Sequence, residues 1–162
     1  MQKLPPATLF KRLLALVYDA FLILALWFIT AGIFVLVYPL TGLPTDALNG
    51  VETATPAALR WGLLPLLLFV TWAFNAWFWM HGGQTLGMRA WRLKVMNYKG
   101  GPLTVRQTLV RYVVAWFSFL FLFAGYLLSL LPPYQTLHDR ASLSATVQLP
   151  KPDKKKPNAP TS

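Results

Sequence analysis

One acidic residue stands inside an apolar run where hydrocarbon would normally surround it. Asp19 interrupts RLLALVYDAFLILALWFI at residues 12–29, seven residues after Arg12. Placing a carboxylate at the centre of a membrane helix costs roughly 2.5–3.5 kcal/mol on insertion scales, and the chain has only five acidic residues in all. Such a residue either holds a cation or proton, as transport sites do, or acts as a polar clasp between helices.

Other polar residues at a similar depth suggest partners for this carboxylate. Helical rise places Asp19 about 10 Å beyond Arg12, and Asn75 about 9 Å from the end of its own apolar run. A hydrogen bond between Asp19 and Asn75 is therefore geometrically available. Arg12 lies on the same helix face as Asp19 but is too distant for direct pairing. We expect a water, Arg111 or Arg140 to complete the set.

Other chemistries find little support in the residue types. The absence of cysteine excludes disulfides, thiolate catalysis and cysteine metal sites. Ser118 and Ser129 have no neighbouring base, and His81 has no second histidine at metal-ligand spacing. The stretch GGQTLG at 82–87 lacks the Lys-Ser/Thr ending of a phosphate loop and indicates a tight turn. We therefore predict no enzyme activity, no cofactor and no metal site.

Three long apolar runs must position these residues. They cover residues 13–38, 61–80 and about 110–131, and 56% of the chain is hydrophobic. A membrane-spanning helix needs about 20 apolar residues. The first run exceeds the h-region of a signal peptide, which is about 7–15 residues long. The sequence predicts an all-α integral membrane protein with two transmembrane helices and a third hydrophobic segment.

Basic residues predict the orientation of the first two spans. The N-terminus carries three, the segment 39–60 carries one, and the segment 81–108 carries five. By the positive-inside rule the N-terminus and 81–108 are cytoplasmic. The formal charge of +10 then indicates contact with anionic lipid headgroups. It does not indicate nucleic-acid binding, because no basic soluble domain is present.

The third run leaves two topologies open. WRLKV (91–95) and ASLSATVQL (141–149) alternate as half-buried strands do. Because a lone strand is unstable, we expect them to pair as a small cytoplasmic ribbon, which requires the third run to enter the membrane and return. Gly125 and the prolines at 132–133 interrupt a helix there. The alternative is a plain third span with the C-terminus outside.

The C-terminal residues differ in composition from the rest of the chain. Residues 150–162, rich in proline and lysine, have nothing apolar to bury, so we predict a disordered basic tail. No internal repeat is apparent in the sequence. One membrane domain is therefore expected over residues 8–149.

The assembled motifs resemble the RDD family of bacterial membrane proteins. RLLALVYD (12–19) is similar to its opening pattern, GQTLGMRAWRLKVMNYKGGPLTVRQTLVRY (83–112) to its central block, and HDR (138–140) to its closing signature. The resemblance implies that the signature residues are Arg12, Asp19 and Asp139. Two departures are Met88, where the family usually has lysine, and Ser-Leu-Ser at 142–144, where it usually has a small-Gly-Thr step.

The resemblance implies a multi-pass protein of the bacterial inner (plasma) membrane. Transport has been proposed for the family, and some members have been linked to sodium/proton exchange. A transport or cation-handling component would use Asp19 and Asp139 as protonatable sites. Two or three spans are too few to enclose a path, so it would need a homo-oligomer or a partner membrane protein. The alternative is a non-catalytic accessory or scaffold protein whose Arg and Asp residues are structural.

Overall fold

The computed structural model describes residues 4–48, 51–120, 127–132 and 134–150. Its helices are α1 (Leu9–Val37), α2 (Pro56–His81), α3 (Leu86–Ala90), α4 (Val105–Leu120) and α5 (Leu137–Ala141). Its strands are β1 (Thr45–Leu48), β2 (Val51–Ala54), β3 (Leu93–Asn97) and β4 (Ser144–Gln148). Short 3₁₀ turns cover Tyr38–Thr41 and Leu128–Leu130, and the second turn of α2, Leu59–Leu63, is wound as a π-helix.

Two helices have the length and composition of membrane spans. The helical stretches Leu9–Thr41 and Pro56–His81 each contain an apolar window long enough to cross a membrane, with mean hydropathies of 2.7 and 1.6. Their large side chains point outward, with Phe28 79% exposed and Trp61 74% exposed, as expected where lipid is the solvent. The prediction of two apolar helices at 13–38 and 61–80 is therefore confirmed.

A small antiparallel hairpin, β1–β2, connects the two spans. Thr45 pairs with Ala54, and Leu48 with Val51. Thr55 then caps α2, its side-chain oxygen accepting from the amide of Ala58 at 3.1 Å. The hairpin was missed, although the Asn-Gly pair at 49–50 in the sequence is a strong hairpin signal.

A second antiparallel ribbon joins distant parts of the chain. Strands β3 and β4 pair with Val95 opposite Thr146. The N-terminal segment covers the outer edge of β4, because Ala7 N donates to Thr146 O at 3.1 Å and Gln148 N donates to Pro5 O at 2.9 Å. The two segments whose residues alternate are thus paired. Strand β4 lies within the predicted range 141–149, whereas β3 begins two residues after the start of the range 91–95 and ends two residues beyond it.

The ribbon consists of two copies of one local structure, a repeat that is not apparent in the sequence. The first unit is GQTLGMRAWRLKVMN (83–97) and the second unit is YQTLHDRASLSATVQ (134–148). In each, a threonine caps a five-residue helix by accepting from a backbone amide in its first turn, and a five-residue strand follows. Only five of the fifteen positions are identical, which is too few for the repeat to be recognised by residue type.

Backbone conformation extends the match between the two units. Positive φ angles occur at the first position of each, Gly83 (71°) and Tyr134 (61°), and just before each strand, at Arg92 (55°) and Leu143 (51°). Reciprocal hydrogen bonds run from Tyr98 N to Leu143 O and from the equivalent Leu149 N to Arg92 O. The central strand pair consists of equivalent positions, so an approximate twofold axis relates the units.

The third hydrophobic segment begins and ends near the ribbon. Helix α4 packs against α2 and against α5, and α5 leads directly into β4. Part of the predicted run at 110–131, including Gly125, lies outside the described residues, as does the predicted tail from residue 151 onward. The start of α4 nevertheless lies beside α5, because Arg111 is bonded to Asp139 and Gln107 Nε2 donates to the Ser142 carbonyl at 3.0 Å.

Candidate functional site

A buried carboxylate joins three separate segments of the chain. Arg12 of α1 donates from Nη1 to Asp139 Oδ2 at 2.6 Å, and Arg111 of α4 donates from Nη1 to Asp139 Oδ1. Asp139, on α5, is 0% exposed, and the two arginines are almost completely buried. Because a buried charge is tolerated only when it is paired and hydrogen-bonded, the three side chains depend on one another. We call them the Arg-Asp-Arg cluster.

Strand β4 supplies several further hydrogen bonds of this cluster, and Arg12 Nε also donates to the Ala7 carbonyl at 3.1 Å. Thr146 Oγ1 donates to Asp139 Oδ1 at 2.9 Å and accepts from Arg111 Nη2 at 2.9 Å. Arg111 Nη1 also donates to Ser144 Oγ at 2.8 Å, and Arg12 Nη2 donates to the Thr146 carbonyl at 3.2 Å. The hydroxyl side chains on one face of β4 therefore fix the geometry of the Arg111 guanidinium group, and the Thr146 carbonyl helps to orient that of Arg12.

The cluster determines the charge of two neighbouring titratable groups. Burial alone raises the pKa of Asp139, but the guanidinium groups of Arg111 and Arg12 outweigh burial and hold this pKa far below its ordinary range. Burial, followed by the charge of Arg111, lowers the pKa of His138 to about 3. At neutral pH the aspartate is ionised and the histidine is neutral, which leaves one net positive charge in the cluster.

Asp19 lies in a different environment, against the first unit of the ribbon. Its Oδ2 accepts from the Thr85 hydroxyl at 2.5 Å, and its Oδ1 accepts from the Gly87 amide at 2.8 Å. The first amides of a helix have no partner within the helix, so the carboxylate satisfies one of the free donors of α3. A Cβ atom at Gly87 would collide with the carbonyl oxygen of Ala15 and lie 2.9 Å from Asp19 Oδ1. Glycine is therefore required at this contact.

The partners expected for Asp19 from depth alone are not the ones it has. Among the contacts of the described residues, Asn75 Nδ2 donates to a carbonyl of its own helix at 2.8 Å, and Arg111 is bonded to Asp139. Arg140 is exposed on α5. Helical rise gives the depth of residues along α1 and α2 but not the position of α3, which folds back from the end of α2 to the level of Asp19.

Several residues of the site were not identified from the sequence. They are Thr85, Gly87, His138, Ser144 and Thr146. The first two belong to a stretch interpreted as a turn and as part of the block that resembles the family, and the two β4 residues were interpreted only as the polar side of an alternating strand. A threonine before a short helix is a capping signal that was available at both units.

A cavity of about 450 Å³ lies beside both carboxylate sites. Helices α1, α2 and α4 form its walls, and the ribbon closes one end. The polar lining residues Arg12, Asp19 and Arg111 lie toward the ribbon, and apolar residues such as Ile23 and Trp116 lie further along the helices. The cavity is therefore amphipathic along its length. Within the described residues, no group of three His, Asp or Glu side chains is placed to hold a metal ion.

Comparison with known protein families shows the family to which the chain belongs. The family model of the RDD family matches residues 6–142, and the chain belongs to this family. Arg12, Asp19 and Asp139 lie within the matched range, and their role as signature residues stays a prediction. Together with the two apolar helices, the family match identifies a membrane protein. No curated protein and no solved structure matched the chain.

Proposed function

We propose that this protein is a non-catalytic accessory component of the bacterial inner membrane, in which the signature residues hold a cap onto the spans. The cap consists of the two units, residues 83–97 and 134–148, together with the N-terminal segment that covers β4. The observation that carries the proposal is the complete burial of Asp139 between two arginines. A carboxylate held in this way is closed to an external cation.

The role of Asp19 is consistent with the same proposal. Each of its oxygens accepts a hydrogen bond from the first unit of the cap. Helix α1 thus contacts both units, through Asp19 at the first and through Arg12 at the second. Polar contacts of this kind fix how membrane helices and their flanking elements pack. The pair of α1 residues works as a clasp.

The proposed topology places the cap in the cytoplasm and makes the third segment re-entrant. Two observations support it: the strands β3 and β4 pair, and α4 and α5 meet beside them. The five basic residues of 81–108 favour the cytoplasmic side. A reporter fused after residue 150 should report the cytoplasm. A signal from the outside compartment would contradict both the topology and the strand pairing.

Two spans and one re-entrant segment give the protein few surfaces of its own on which to act. We therefore place it in a homo-oligomer or beside a partner membrane protein. The large exposed apolar side chains of α1 and α2 provide area for such helix contacts. Crosslinking in native membranes should give a discrete larger species, and a monomer alone at every crosslinker concentration would contradict this part of the proposal.

One observation favours a second candidate, a cation- or proton-handling role for Asp19. The carboxylate lines the cavity, and ionisable residues at membrane depth commonly mark ion pathways. Thr71 and Asn75 line the same cavity and add neutral oxygen atoms. The cavity would be the binding chamber, and an oligomer would have to complete the path.

A flux assay separates the two candidates. The purified protein is reconstituted in vesicles, and sodium, potassium and proton movements are compared with those of protein-free vesicles. The accessory role predicts no difference. A flux that disappears in folded Asp19→Asn protein but persists in the control Asp46→Asn, at an exposed position of β1, would contradict the accessory role and establish the second candidate.

A further inference from the structure

The two units present the same pair of residues to the outside. Leu86 and its equivalent Leu137 are 43% and 42% exposed, and Arg89 and its equivalent Arg140 are both exposed. In each five-residue helix the leucine precedes the arginine by three residues, which places the two on neighbouring positions of one helix face. Each unit therefore carries an apolar and a cationic side chain together at its surface.

Packing does not account for this shared pair. Of the residues identical in the two units, Thr85 and Thr136 are buried helix caps with a structural role. The leucine and the arginine are exposed, yet both are kept although the units differ at ten of their fifteen positions. An exposed pair repeated about an approximate twofold axis indicates a partner that meets both sites with the same chemistry.

The position of both short helices relative to α1 indicates where that partner lies. The backbone of α3 reaches Asp19 through Gly87, and the side chain of Asp139 on α5 reaches Arg12. Both contacts involve the part of α1 where the chain passes from its basic N-terminal segment into its apolar run. The two helices therefore lie at the boundary between headgroups and hydrocarbon.

We propose that the cap holds two anionic phospholipids of the adjacent leaflet, one at each unit. Arg89 and Arg140 bind the lipid phosphates, and Leu86 and Leu137 enter the acyl boundary beside them. Arginine suits this role because its planar guanidinium group binds phosphate in a bidentate manner. The chain's formal charge of +10 complements an anionic leaflet. A bilayer offers the same chemistry at both sites, whereas a single acidic protein would need two matching surfaces.

The two sites are not equal in shape. Arg89 borders a cleft of about 330 Å³ whose other lining residues include Trp77, Phe78, His81 and Gln84. Tryptophan and histidine rings are amphipathic and suit the headgroup level of a membrane. The cleft gives a headgroup more contact at the first unit, so Arg89 should hold its lipid more tightly than Arg140.

Lipid retention by the full chain tests the proposal. The protein is purified in mild detergent and mixed with phosphatidylglycerol or phosphatidylcholine of the same acyl chains, and retained lipids are counted by native mass spectrometry. Wild type should retain up to two phosphatidylglycerol molecules in preference to phosphatidylcholine. Each of Arg89→Gln and Arg140→Gln should weaken retention about fivefold, since a basic residue near an anionic surface contributes about 1 kcal/mol. The loss should be larger for Arg89→Gln.

A charge-matched control distinguishes a site from general attraction. The double variant Lys99→Gln/Arg106→Gln removes two exposed cap-side charges without touching the proposed sites. It should retain phosphatidylglycerol like wild type. The double variant Arg89→Gln/Arg140→Gln should lose phosphatidylglycerol. An equal loss of phosphatidylglycerol from the control would overturn the proposal in favour of unspecific attraction. Unchanged retention in Arg89→Gln/Arg140→Gln would overturn it as well and would leave an acidic protein surface as the partner. The outcome does not depend on the flux assay.

Discussion

The two units of the ribbon share a backbone but are stabilised by opposite arrangements of charge. The second unit contains its own carboxylate, Asp139, and receives two arginines from α1 and α4. The first unit contains no acid, and receives the carboxylate of Asp19 from α1 at the start of its helix. Helix α1 thus contributes a cation to one unit and an anion to the other, from positions about two helical turns apart.

This difference explains residue choices that the common backbone leaves open. The first unit needs glycine at position 87 because Asp19 approaches its main chain. The equivalent position in the second unit is His138, which is buried but has room for a ring. The scaffold therefore tolerates either a small or a large residue there, and the neighbouring part of α1 determines which one is present.

The largest loss of stability should come from removing the carboxylate of the second unit. Asp139→Asn leaves Arg12 and Arg111 buried without a negative charge, and breaking a buried pair costs about 3–5 kcal/mol. Unfolding in detergent micelles, followed by circular dichroism, measures the loss. Lys99→Gln at an exposed turn should change stability by less than about 0.5 kcal/mol. A loss from Asp139→Asn as small as that of the control would show that the cluster does not hold the second unit.

The second-largest loss of stability should come from a substitution that obstructs the contact between the first unit and α1. Gly87→Ala places a Cβ against the Ala15 carbonyl and the Asp19 side chain, and overpacking of this kind costs about 1–3 kcal/mol. Gly82→Ala is the matched control, since the nearest atom to its added Cβ lies at 3.8 Å. Equal melting temperatures for the two variants would contradict the close approach of α1.

Acid should act on the second unit through His138. Its pKa is lowered to about 3 in the folded protein, compared with about 6.5 when unfolded. The unfolded chain therefore binds more protons between these values, and stability falls as pH falls below about 6.5. At pH 5.5 the loss should be about 1.4 kcal/mol relative to pH 7.5. The variant His138→Gln should lose this part of the pH dependence, whereas an unchanged pH profile would show that His138 is not the responsible group.

The smallest effect should come from relieving backbone strain that both units share. Leu143 has a φ of 51°, and Arg92 has a φ of 55° at the equivalent position. A left-handed conformation costs a non-glycine residue roughly 1–2 kcal/mol. Leu143→Gly and Arg92→Gly should each stabilise the protein by about 0.5–1 kcal/mol, once the added freedom of the unfolded chain is included. A loss of stability in only one of them would show that the units are not equivalent there.

The sequence predicted some levels of this structure much better than others. Hydropathy located both spans because a membrane requires long apolar helices, and alternation located both strands of the ribbon. Resemblance singled out Arg12, Asp19 and Asp139, which lie at the contacts between α1 and the two units. These signals are all carried by residue type along a continuous stretch, which one sequence displays directly.

The pairing of the signature residues was beyond reach for a physical reason. Helical rise gives the depth of Asp19, but the direction taken by the chain after α2 depends on a short helix that no periodicity reveals. The repeat was hidden because its defining features are caps and positive φ angles, and Tyr134, Arg92 and Leu143 adopt such angles without being glycine. Conformations held by tertiary packing leave little trace in residue type.

The separation of Arg12 and Asp139 along the chain has a consequence for biogenesis. They are 127 residues apart, and at 5–20 residues per second the ribosome needs about 6–25 s to make the second after the first. During that interval Arg12 of α1 has no Asp139 to pair with. Asp19 likewise lacks its hydrogen bonds until the first unit has been made. The insertion machinery must therefore tolerate a polar nascent helix, and the Arg-Asp-Arg cluster can close only after α5 and β4 have been made.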